Sequence, residues 1–340
     1  LCRIFPGIIA QRICRKFKVV SQGNAQPKIG RIIRAIFIAT LVIVLPGVQW
    51  SLFGWLHVFL PLLAFYILSN FGEYTGKRLL LVAVGISLLV YLLANNFELF
   101  VFSFTLLING YVLFFSADRH ATPALSGLMG AVALATGWGV IFSVLSIGQE
   151  VSAYSQLVNS FDEGIQEALT FYRQSNDISA DSLVLLEATL SRMKVIVPVI
   201  MPSIIGSFIL LITWFTMVLG NLLMLKNSGS APWASYRYWH LPEKLIWLAI
   251  ITGLITLLPV QPFRTIGINS LILLSIIYCF QGMSIAVYFM HKWRVPLLLR
   301  SFFYVMIVFQ QFGTLLLLIF GIADIWFDFR KLKQDTADQP

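Results

Sequence analysis

Asp324, Asp328 and Arg330 close the last apolar run of the chain, and Trp326, Phe327 and Phe329 are interleaved with them. Asp324 and Asp328 are four residues apart, so on a continuing helix they share a face. Like charges at that spacing cost about 0.2–0.5 kcal/mol. On a straight helix Arg330 cannot serve both carboxylates, so a cation from another segment is expected to join Asp324. The candidates are Arg264, Arg192 and Lys194 on one topology, and Lys292 and Arg294 on the other. The plainer alternative is a solvated turn held at headgroup level by its aromatic residues.

Elsewhere the apolar runs hold no Asp, Glu, Lys or Arg away from their ends. Ion-coupled pumps keep ionisable relays within the membrane, so this pattern argues against a self-sufficient proton-driven transporter. The deep polar side chains are instead amides, chiefly Asn109, Asn269, Gln281, Gln310 and Gln311. They could line a pocket for a neutral polar solute, or bond between helices. His57 lies among Trp50, Trp55 and Phe59 with no second histidine or acid at ligand spacing. Cys2, Cys14 and Cys279 show neither metal-ligand spacing nor a disulfide framework. No catalytic residue, metal or cofactor is therefore expected, and the reading is of a non-enzyme.

The elements that must position these groups are membrane helices. Hydrophobic residues make up 58% of the 340 and charged residues 11%, where a soluble domain carries about 25% charged. The apolar segments are 33–50, 52–70, 79–96, 98–116, 122–148, 195–225, 245–260, 265–290 and 296–321. This predicts an all-α polytopic membrane protein of about nine transmembrane helices. The first run lacks a small-residue cleavage site and reads as a retained helix. Basic residues crowd before Ala35 and recur at Lys77, Arg78, Arg119, Lys226, Arg237, Lys244, Lys292 and Arg294; the opposite loops hold only Arg173, Arg192, Lys194 and Arg264. The positive-inside rule then puts the N-terminus in the cytoplasm. The N-terminal arm is expected to meet anionic lipid headgroups; nucleic acid is not an expected partner.

Five regions follow: a basic cytoplasmic arm (1–32), a five-helix membrane region (33–148), an outward hairpin (149–194), a C-terminal membrane region of three to four helices (195–323) and a polar tail (324–340). The hairpin between the fifth and sixth spans is acidic and amphipathic. Tyr154, Leu157, Phe161, Ile165, Leu169 and Tyr172 recur at helical spacing, and the pattern resumes at Leu183 and runs into segment six. Pro198 and Pro202 mark a kink there, whose freed carbonyls need other donors. Segment five carries small residues every fourth position, at Gly127, Ala131, Ala135, Gly139 and Ser143. Such a stripe admits a close helix, from this chain or from a partner. Ala35 and Ala39 are a shorter version on segment one.

The ending Gly321-x-x-Asp324-x-Trp326-Phe327-Asp328-Phe329-Arg330 resembles that of the YybS-like family of uncharacterised bacterial integral membrane proteins. Trp239-His-Leu-Pro242, Asn269 and Phe280-Gln-Gly282 are similar to that family too. The resemblance covers roughly residues 30–333 and places the protein in the bacterial cytoplasmic (inner) membrane. Through it the chain is distantly similar to S components of energy-coupling-factor (ECF) transporters. That implies a non-catalytic solute-binding subunit, with a membrane coupling subunit docked at Ala35 and Ala39 and an ATPase supplying energy. The long outer hairpin and the extra C-terminal helices depart from S components. The alternative is an envelope scaffold acting through the 149–194 hairpin and the small-residue faces.

Overall fold

The computed structural model describes residues 29–147, 151–174 and 179–331. Every regular element among them is helical. We label them α1 (Ile29–Val48), α2 (Leu60–Leu93), α3 (Phe97–Asp118), α4 (Pro123–Leu145), α5 (Ala153–Gln174), α6 (Ala180–Ser228), α7 (Leu245–Thr256), α8 (Gln261–Lys292), α9 (Leu297–Phe309) and α10 (Gln311–Phe327). Short turns of helix at Trp50–Phe53 and Gly54–Phe59 lead into α2. The chain forms two compact units that divide after Phe114, inside α3. The second unit therefore takes α4, which the sequence grouped with the first region.

Among the described residues, six helical stretches are long and apolar enough to cross a membrane, or seven if a bent pair counts as one span. Three places separate this count from the nine apolar segments. Segments two and three are helices that follow each other without a loop, in the stretch Trp50–Leu93, across a break at Gly72, whose φ of 76° and ψ of 166° are not helical. That left-handed φ suits glycine. Segment seven yields only the 12-residue α7, about 18 Å long at 1.5 Å per residue and too short for the hydrocarbon layer. Segment nine breaks at Gln310 into α9 and α10, which meet at 96°. Large apolar side chains such as Leu81, Leu89, Val140, Leu222 and Leu254 are exposed on these helices, as a bilayer allows and water does not.

In the first unit, α1 packs on α2 through Ala39 and Ile43, both fully buried. Tyr91 donates to the Ile43 carbonyl (2.8 Å). Gly110 of α3 lies against the Pro61 carbonyl, where a methyl group would clash. His57 is buried, with its Nε2 bonded to Ser103 (2.9 Å).

In the second unit, α5 folds back along the first turns of α6 as the amphipathic spacing predicts, burying Ala153, Ile165 and Leu169. Ion pairs Arg173–Glu187 (2.7 Å) and Lys194–Asp162 (2.8 Å) flank that seam. Helix α6 continues unbroken through Pro198 and Pro202 to Ser228.

The backbone groups around those prolines have identifiable partners. Pro202 lacks the N–H that the Pro198 carbonyl would accept, and the Tyr154 hydroxyl of α5 donates to that carbonyl instead (2.9 Å). One residue on, the Asn269 amide of α8 stands in the gap between Val199 and Ser203. Its Nδ2 donates to Val199 O (2.8 Å) and its Oδ1 accepts from Ser203 N (2.8 Å).

Candidate functional site

The C-terminal stretch begins with a close helix crossing. A side chain at Gly282 of α8 would collide with the Leu317 backbone, and one at Gly321 of α10 with the Tyr278 carbonyl. The two glycines thus bring α8 and α10 backbone to backbone. Asp324, one turn beyond Gly321, is then within reach of Gln281, whose Nε2 donates to Asp324 Oδ2 (2.7 Å).

Helix α10 stops at Phe327, and Asp328 takes a left-handed conformation (φ 38°) with its N–H bonded to Asp324 O (3.1 Å). This is an αL helix end, which Asp tolerates better than most residues. The chain turns back, and Arg330 Nη2 meets Asp324 Oδ2 at 2.8 Å with both side chains buried. Asp324 Oδ1 accepts the Phe329 N–H (3.1 Å). The partner of Asp324 is therefore Arg330 itself, not a cation from another segment. The straight helix assumed from the sequence ends three residues too soon for that assumption. The expected polar tail also starts later, since Asp324 and Arg330 belong to the packed interior.

Arg330 reaches further. Its Nη1 donates to Ser284 Oγ (2.6 Å) and lies within hydrogen-bonding distance of the Trp239 and Arg237 carbonyls (2.8 and 2.9 Å). Residues 229–244 form the loop that follows α6, which ends at Gly229 in the left-handed region (φ 71°). Asn221 fixes the start of the loop through Trp233 N and Ala234 O, and Trp233 Nε1 bonds Ser126 of α4 (3.0 Å). Gln281 Oε1 accepts from Leu241 N (3.2 Å) and Ser284 donates to Trp239 O (3.0 Å). Tyr236 donates to Phe280 O (2.6 Å). Burial raises its pKa far above the usual phenol range, keeping that donor protonated. The loop is thus pinned by α4, α6, α8 and the returning C-terminus.

This pinned loop walls one side of a cavity of about 340 Å³, whose other sides are α4, α6 and α8. That size falls at the lower end of small-molecule sites. Gly127 and Ala131 of α4, Leu210, Trp214 and Met217 of α6, and Ile277 and Phe280 of α8 make its lining mainly carbon. Trp214 and Phe280 stack nearly parallel, with ring centres 4.9 Å apart. Gln281 and Ser284 form the edge that joins the cavity to the Asp324–Arg330 pair.

The expected site residues separate into several places. Asn109 is fully buried in the first unit. Asn269 is committed to backbone groups beside the α6 prolines, adding a bond to Thr265 O (2.9 Å). Gln281 alone among the amides borders the cavity. Gln310 is exposed at the break between α9 and α10, and the side chain of Gln311 lies outside the described residues. The small stripe divides: Gly127 and Ala131 face the cavity, whereas Ala135 and Gly139 are exposed. Ala39 is fully buried within the first unit and Ala35 is half-buried, so only part of that pair remains for a partner. Trp326 and Phe327 are exposed beside the buried pair, as headgroup anchors would be.

The sequence reading missed the cavity and the role of Tyr154. The cavity lining is carbon drawn from separated segments and has no periodic signature. Tyr154 could have been found by asking which donor serves the carbonyl that Pro202 frees. Among the described residues no group of three or more His, Cys, Asp and Glu side chains is placed to hold a metal ion.

Residues 38–325 match the family model described as "Predicted membrane protein (DUF2232)". No curated protein and no solved structure matches the chain.

Proposed function

The chain belongs to the DUF2232 family of predicted membrane proteins, and from that premise we propose that it is a non-catalytic ligand-binding subunit of the bacterial cytoplasmic membrane. The carbon-lined cavity of about 340 Å³ between α4, α6, α8 and the 229–244 loop carries this reading. A loop tied down by Asn221, Gln281, Ser284 and Arg330 is rigid enough to keep such a space open against packing. The similarity to S components adds a transport-associated role, with a membrane coupling subunit and an ATPase as partners. The N-terminus is cytoplasmic in this reading, with the arm on anionic headgroups and α5 outside. Arg31 and Arg34, exposed at the start of α1, fit that contact.

Asn269 and Gln281, expected to hold a polar solute, bond protein groups instead, which moves the ligand toward apolar chemistry. The reading is tested by native mass spectrometry in mild detergent. The wild type is expected to carry an added mass that the cavity-filling Ala131→Trp lacks; identical spectra from a folded variant would refute binding there.

The exposed half of the α4 stripe favours a second reading. Ala135 and Gly139 are open, with no atom within 4 Å of a Cβ built on Gly139. Such a face suits a partner helix, as a scaffold would need. Deleting the 149–194 hairpin separates the two: a scaffold loses its partners, while a ligand-binding subunit keeps its ligand.

A further inference from the structure

Granting that the cavity binds a ligand, we infer that the ligand is one hydrocarbon chain of a membrane lipid, entering sideways from the bilayer. Three observations converge on this class.

The first is the state of the polar groups on the wall. Tyr236 donates to Phe280 O, Trp239 Nε1 to Ala234 O (2.7 Å), and Gln281 and Ser284 are bonded to Asp324, Leu241, Trp239 and Arg330. A polar solute would find these partners occupied and would lose its own hydration on entry. A hydrocarbon chain has nothing to satisfy.

The second is the rim. Leu125 and Leu128 line the cavity and are 48% and 60% exposed, on a helix apolar enough to cross the membrane. An opening flanked by exposed leucines on such a helix faces lipid. The ligand therefore comes from the hydrocarbon phase.

The third is depth. The cavity begins at the first turn of α4, at Thr122 and Pro123, and at the 239–242 loop. These are helix ends, so a lipid lying there keeps its head at the interface while one chain runs inward along Ala131 and Met217.

The test uses the full chain in vesicles of phosphatidylethanolamine and phosphatidylglycerol, a fraction of the latter carrying a diazirine in one acyl chain. After irradiation, peptide mass spectrometry should place label on the Gly127–Ala131 and Leu210–Met217 peptides. Ala131→Trp should lower that label several-fold without changing label at the outer-facing Val140, and Gly127→Leu repeats the block with a smaller side chain. Equal cavity labelling in the wild type and both folded variants overturns the inference. If label stays off the cavity while a water-soluble compound co-purifies and is lost in Ala131→Trp, the lipid inference fails and the binding reading survives. If neither lipid label nor co-purified mass responds to either substitution, both fail.

Discussion

Arg330 folds back across the end of its own helix to meet Asp324 at 2.8 Å, with both side chains withdrawn from solvent. Removing one member leaves the other charge buried and uncompensated, at a cost of about 3–5 kcal/mol. Asp324→Asn should therefore lower the thermal midpoint in detergent markedly. Glu73→Gln, which breaks the exposed Lys77–Glu73 pair, should hardly move it. Replacing both partners, Asp324→Leu with Arg330→Met, should recover part of the loss because no lone charge remains. A midpoint equally insensitive to Asp324→Asn and Glu73→Gln would leave the ion pair without a structural role.

Tyr154 and Pro202 should be thermodynamically coupled. Tyr154→Phe removes the donor to the Pro198 carbonyl and should cost about 0.5–1.5 kcal/mol. In a Pro202→Ala background the helix regains its own N–H donor, so Tyr154→Phe should cost almost nothing. A double-mutant cycle on thermal unfolding measures this, and additive effects would argue against the assignment.

The glycine crossing of α8 and α10 makes a position-specific prediction. Gly321→Ala drives a methyl group into the Tyr278 carbonyl and must part the helices, with a cost of about 1–3 kcal/mol or more from overpacking. Gly139→Ala, which meets open space, should leave stability unchanged. Detergent unfolding of the two variants side by side checks the contrast.

The basic-loop asymmetry predicts that α5 lies outside. With the native cysteines replaced, Ser160→Cys should react with a membrane-impermeant maleimide added to intact cells. Labelling only after lysis would reverse the orientation.

How much of this was legible in the sequence varies from element to element. Hydrophobic spacing revealed the α5–α6 hairpin, because one side of α5 packs and the other is solvated. The Gly321–Arg330 stretch stood out by composition, yet its internal pairing did not. A left-handed residue at Asp328 ends the helix, and aspartate there gives a weaker sign of a stop than glycine would. Asn269 read as a solute ligand because nothing local reveals that its amide replaces a backbone bond in a helix 66 residues earlier. The breaks at Gly72 and Gln310 are conformational, and composition does not record them.

The central claim, that the second unit holds an occupied binding cavity, is tested most directly by a cryo-electron microscopy map of the purified protein at side-chain resolution. The account predicts continuous non-protein density among Gly127, Ala131, Trp214 and Met217, beside a formed Asp324–Arg330 pair, and its loss in Ala131→Trp. A map in which Leu210, Met217 and Phe280 close together and fill that space would contradict it.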